Sequence, residues 1–126
     1  MKILLAEDDQ NISIIAKLAL EQIGGHQVQV ATNGRMALDF ALSDDFDLIL
    51  LDEMMPEMNG LTVCREYHNK SNKPSPVIFL SAKSQESDIV EFIETARGFI
   101  PKPFDPATLC ELIIHILQKN KGNKVS

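Results

Sequence analysis

Five short apolar runs, each followed by a stretch with helical spacing, set the folding problem for these 126 residues. Lys2 to Ala6 is the first run, and it ends abruptly in Glu7-Asp8-Asp9. Val28 and Val30 alternate with Gln27 and Gln29, a weaker and more exposed strand. Asp47 to Leu51 is the most apolar candidate and again meets acid at Asp52-Glu53. Pro76 to Leu80 leads into Ser81-Ala82-Lys83, and Phe99-Ile100-Pro101 is a brief fifth strand before Lys102. Runs this short between helical stretches suit strands buried on both faces. Repeated β–α units of crossover length predict an open α/β domain, a parallel sheet with helices on both faces.

The helical stretches carry their own punctuation. Ile12, Ile15, Ala16, Leu18, Ala19 and Ile23 are the expected inner stripe of the first helix, which stops at Gly24-Gly25. Thr32-Asn33-Gly34 turns the chain into a helix with Met36, Ala37, Phe40 and Ala41 inward, and Leu61, Cys64 and Tyr67-His68 mark a third. Ser84 opens a near capping box to Asp88, with Ile89, Val90, Phe92 and Ile93 following. A last helix from about Pro106 turns Leu109, Leu112, Ile113, Ile116 and Leu117 inward.

Composition removes several functions. A formal net charge of −6 opposes direct binding to nucleic acid, which needs a basic face. Lys119, Lys121 and Lys124 make the end locally basic, and residues 120–126 are expected to be a short polar tail or the start of a linker. One domain is therefore expected over residues 1–119. No apolar run approaches the roughly 20 residues of a membrane helix. The opening Met1-Lys2-Ile3-Leu4-Leu5 lacks a cleavage site, so a cytoplasmic location is expected. Cys64 and Cys110 lie within helical patterns and read as reduced thiols, and His26, His68 and His115 lack metal spacing.

Open α/β sheets place their sites at the carboxyl ends of the strands. The first strand delivers Glu7, Asp8 and Asp9 to that edge, the third Asp52, the fourth Ser81 and the fifth Lys102. Crowded carboxylates repel, and one would be driven toward protonation unless a cation intervened. An oxygen-loving ion with retained waters, Mg²⁺ before Ca²⁺, answers that need. Asp52 would then stay ionised as a nucleophile toward phosphorus. The metal and Lys102 would neutralise the transferred group, and Ser81 would donate it a hydrogen bond.

These residues resemble the receiver domains of bacterial response regulators along nearly the whole chain, from Lys2 to Lys119. The opening strand with its acids, Asp47 to Asp52 followed by Glu53-Met54-Met55-Pro56-Glu57-Met58-Asn59-Gly60, Leu80-Ser81-Ala82-Lys83, and Phe99 to Phe104 carry the likeness. The resemblance implies a doubly wound five-stranded sheet in flavodoxin-like order 2-1-3-4-5. It implies Mg²⁺, or Mn²⁺ in its place, on Asp8, Asp9, Asp52 and the backbone carbonyl of Met54. Asp52 would take phosphate from a histidine kinase or phosphotransfer protein. Ser81 and Phe99 would form the switch, Lys102–Pro103 a cis peptide, and Met54 and Lys83 would tune phosphate loss. The chain would act as a signalling switch, with only self-catalysed phosphoryl transfer and loss. Its output face would comprise the fourth helix, fifth strand and fifth helix, serving a downstream protein, a tethered output domain or a phosphorylation-dependent dimer. Neither nucleic acid nor membrane is an expected direct partner.

The sequence departs from the family at Phe99, which lacks the usual phenolic hydroxyl, and at Thr95 and Arg97-Gly98, beside the output face. Three rivals fit less well. An Mg²⁺-dependent aspartyl-phosphate phosphatase often carries a second acid two residues after its nucleophile, where this chain has Met54. A flavin module needs a phosphate-cradling loop where Glu7-Asp8-Asp9 stands. A phosphorylation-independent adaptor has no need of the acids, Ser81 and Lys102 together.

Overall fold

A computed structural model describes residues 1–82 and 96–125, with the backbone course alone for 120–125. Five parallel strands form one sheet in the order β2-β1-β3-β4-β5. They are β1 (Lys2–Ala6), β2 (Gln27–Ala31), β3 (Leu48–Asp52), β4 (Val77–Ser81) and β5 (Gly98–Pro101). Every residue of β3 and β4 is buried, as expected of central strands covered on both faces. Edge strand β2 alternates exposed glutamines with half-buried valines.

The pleat divides the core into two layers, because successive side chains point to opposite faces. Ile3 and Leu5, Leu48 and Leu50, Ile78 and Leu80, and Ile100 form one layer. Helix α1 (Gln10–Leu18) with its wider π-helical continuation Ala19–Ile23, and α4 (Leu109–Val125), supply its other wall through Ala16, Ala19, Leu20, Leu109, Cys110 and Ile113. Leu4 and Ala6, Ile49 and Leu51, and Val77 and Phe79 form the opposite layer, against α2 (Gly34–Ser43) and α3 (Gly60–Lys70). Each fully buried leucine or isoleucine contributes roughly 1.5–3 kcal/mol relative to exposure. The expected helix from Ser84, with Ile89, Val90, Phe92 and Ile93, lies outside the described residues, as do Lys83 and Thr95.

Side-chain caps start three helices where the sequence supplies them. Asp9 accepts from the N–H groups of Asn11 and Ile12, Asn33 from Met36, and Asn59 from Thr62. The expected stripe of α1 is corrected: Ser13, Ala16, Ala19 and Leu20 face the sheet, while Ile15, Leu18 and Ile23 are exposed. Of the large apolar residues in this stretch, Leu20 alone is fully buried. Leu112 of α4 and Met36 of α2 also turn outward rather than inward. Cys64 and Cys110 are free thiols, both buried. Helix α4 runs to Val125, through the residues expected as a polar tail. Among the described residues, no helix is long and apolar enough to cross a membrane.

Candidate phosphate and metal site

Strand register brings the chemistry together. Ala6 pairs with Leu51, so the next residues along, Glu7 and Asp52, are neighbours at the carboxyl edge. Both continue the same pleated row, 3-5-7 on one strand and 48-50-52 on the other. Ser81 pairs with Pro101, which sets Lys102 one step beyond, in the row of Ile100. The peptide between Lys102 and Pro103 is cis, as expected. Glu7, Asp52 and Lys102 thus share one face of the sheet by parity alone.

The contacts are short. Lys102 Nζ lies 2.6 Å from Glu7 Oε1 and 3.0 Å from Asp52 Oδ1. The Glu7 contact is an ion pair by distance, although Oε1 receives no well-directed hydrogen bond. The other Glu7 oxygen accepts the Asp9 N–H at 3.1 Å. Met54 N–H points to Asp52 Oδ1 at 3.4 Å, a weak contact from the loop that follows β3.

Glu7 is 1% and Asp52 5% exposed, so two carboxylates share one ammonium in a largely dry place. Burial, then a hydrogen bond shared with Glu7 and the nearby Glu7 charge, push the Asp52 carboxyl up to about 7, against the opposing pull of Lys102. Burial also works against the Lys102 ammonium, but its contacts with Glu7 and Asp52 outweigh that and hold its pKa above the ordinary value.

Asp8 joins from the opposite row, exposed at the rim. Glu7, Asp8 and Asp52 each offer a carboxylate oxygen, and these atoms all lie within 4.8 Å of one another. Three hard oxygens around an acid held partly protonated fit a divalent cation, whose charge would relieve the repulsion. Beside them, a hollow of about 460 Å³ is lined by Asp8, Glu53, Met54, Met55, Pro56 and Asn59.

Asp9 follows at the start of the next helix. Its carboxylate caps α1 through Oδ1, and the cluster's third acid is Glu7. The sequence held a signal for both: the i, i+2 alternation of Ile3 and Leu5 reaches Glu7, and an Asp directly before a helical stretch is a cap. Ser81 is buried at the end of β4, in the row of Val77 and Phe79. Phe99 is half-buried against that same layer, paired in register with Phe79. Met54 is 69% exposed beside the hollow. Glu53 is buried in the row of Ile49 and Leu51, away from the Asp52 face.

Comparison with known proteins agrees with this geometry. A family model described as the response regulator receiver domain matches residues 3–114. The response regulator ArlR of Staphylococcus saprophyticus is 39% identical over 119 residues, covering 94% of this chain and 53% of its own length. The transcriptional regulatory protein SrrA of Staphylococcus aureus is 32% identical over 125 residues, 98% of this chain and 51% of that protein. The chain spans about half the length of these curated relatives. Among solved structures, the Francisella response regulator 1452 receiver domain superposes with a TM-score of 0.82 at 30% identity, covering 97% of this chain and 98% of that one. The Vibrio cholerae chemotaxis protein CheY4 gives 0.82 at 30% identity, covering 91% and 97%. With the sheet order, the acid cluster and the matched span in agreement, the chain belongs to the response regulator receiver domains, the phospho-accepting modules of two-component signalling.

Proposed function

We propose that Asp52 is the phospho-acceptor, taking its phosphoryl group from the phosphohistidine of a histidine kinase or phosphotransfer protein. The observation that carries this is the convergence of Glu7, Asp8, Asp52 and Lys102 at one sheet edge. An Asp52 carboxylate oxygen attacks phosphorus, an O–P bond forms as the P–N bond to the donor imidazole breaks, and the imidazole leaves with the electron pair. Asp8, Asp52 and the Met54 carbonyl would hold Mg²⁺, or Mn²⁺ in its place, with Glu7 the nearby third acid. A cation bound there would neutralise charge on the transferred group. Lys102 exchanges its contact with the Asp52 carboxylate for one with the new phosphoryl oxygens. Buried Ser81 offers a hydroxyl to the same group, and Phe99 repacks in the layer they share.

Phosphate loss is self-catalysed in this reading, with Met54 and Lys83 setting the lifetime of the group. The partner face comprises β5, α4 and the segment between β4 and β5. It serves a downstream protein, a second copy in the phosphorylated state, or a tethered output domain of the kind that half-length coverage of the relatives leaves room for. A net charge of −6 assigns no nucleic-acid contact to this chain itself, and the setting is cytoplasmic.

Intact-mass spectrometry with acetyl phosphate and Mg²⁺ tests the assignment. The native chain is expected to gain one phosphoryl group and Asp52→Asn none, with both retaining the fold by circular dichroism. Uptake by Asp52→Asn at the native rate would refute it.

A further inference from the structure

We infer that Gly34, at the first turn of α2, is a positioning residue for the cation site, a role that rests on the metal reading above. The segment from Met54 to Asn59 carries the Met54 carbonyl and is fastened at two points by glycines. At its far end, Gly60 donates its N–H to Glu53 O at 2.9 Å, and a Cβ there would lie 2.5 Å from Asp52 O. At its middle, Gly34 donates its N–H to Pro56 O at 3.2 Å. A Cβ on Gly34 would overlap the Met58 carbonyl oxygen and lie 2.6 Å from its carbon. Backbone atoms cannot rotate away as a flexible side chain would, so any other residue at 34 must push the loop or the helix aside.

The loop is also under tension where Gly34 holds it. Pro56 O accepts a second hydrogen bond, from Met58 N at 2.8 Å, closing a tight three-residue turn around Glu57. Glu57 has φ 69°, a left-handed conformation that disfavours a side chain. Such a conformation persists only where surrounding contacts over-determine it. The bare α carbon and N–H of Gly34 are among those contacts, although α2 contributes no side chain to the acid cluster. The course of the loop, and with it the direction of the Met54 carbonyl, therefore depends on a residue from a different β–α unit. Outer supports of metal sites typically govern affinity without touching the ion.

The test is an Mg²⁺ titration of the full chain followed by amide NMR. Gly34→Ala is expected to weaken Mg²⁺ binding roughly tenfold and to shift the amides of residues 53–55 and 57–59 before metal is added. Asn33→Ala removes the α2 cap but leaves the loop contact, and is expected to stay within about twofold of native affinity. Coupling is reciprocal, so in the native chain Mg²⁺ should slow hydrogen exchange at the Gly34 amide and leave that of Phe40, within α2, unchanged. This second measurement stands even if Gly34→Ala fails to fold. Native Mg²⁺ affinity in Gly34→Ala, or a Gly34 amide indifferent to Mg²⁺, overturns the positioning role. A native chain whose Asp8 and Asp52 amides ignore Mg²⁺ removes instead the metal reading on which the role rests.

Discussion

Lys102 sits between two buried carboxylates, 2.6 Å from one and 3.0 Å from the other, and its charge is what makes their company tolerable. Removing one member of a buried ionic group costs far more than the group contributes net, since the remaining charges lose their compensation. Lys102→Ala leaves Glu7 and Asp52 facing each other, and the easiest relief is for Asp52 to take a proton. The variant is therefore expected to lose about 1–3 kcal/mol at pH 8 and clearly less at pH 5, as urea titrations at the two values would measure. An equal loss at both would show that Lys102 acts by packing alone. The same contacts explain why the Asp8–Asp52 pair was readable from the sequence while Glu7 was assigned no role. Adjacent acids look equivalent in a linear string, and only the pleat distinguishes them, sending Glu7 and Asp8 to opposite rows.

At the scale of elements, Asp9 is a carboxylate with a structural task. Its Oδ1 accepts at 2.9 Å from Asn11 N–H and 3.3 Å from Ile12 N–H, the ordinary work of an N-cap. Asp9→Ala is expected to lower stability by about 1 kcal/mol and to leave Mg²⁺ affinity near native. Calorimetry of unfolding with a parallel metal titration would measure both, and a large loss of affinity would return Asp9 to the ligand set. Strands and their order were legible because apolar runs ending in polar residues leave few alternatives; β3 and β4 differ from expectation by a single residue at each end. The buried stripe of α1 was not. Hydropathy favours Ile15 and Leu18 for the interior, yet the buried face consists of Ser13, Ala16, Ala19 and Leu20. Contact distance is a property of two elements together, and a single stretch of sequence does not state it.

Taken whole, the metal-free domain carries an acid titrating near neutrality, and its stability should follow. Asp52 holds a proton in the folded chain up to about 7, whereas in the unfolded chain it releases it near 4. A folded-state value above the unfolded one means the contribution is complete below about 4 and is lost as pH rises to about 7. Metal-free denaturation midpoints are thus expected to fall across that interval. Mg²⁺ at about 100 times its Kd should restore roughly 2.7 kcal/mol at pH 8 and much less at pH 5, where protons compete for the same oxygens. Thermal unfolding with and without Mg²⁺ at both values would measure this, and an equal Mg²⁺ increment would contradict it.

Strand β5 is four residues long and, among the described residues, lies at the border of the sheet, paired with β4. Phe99 faces one layer from it, and Lys102, directly beyond its end, reaches the acids on the other. Ammonium and ring are thus three residues apart along one short strand. Ile100, buried in the core between them, ties the two ends into one rigid piece, so a displacement of the ammonium on the acidic side is handed along the strand to the ring on the opposite layer.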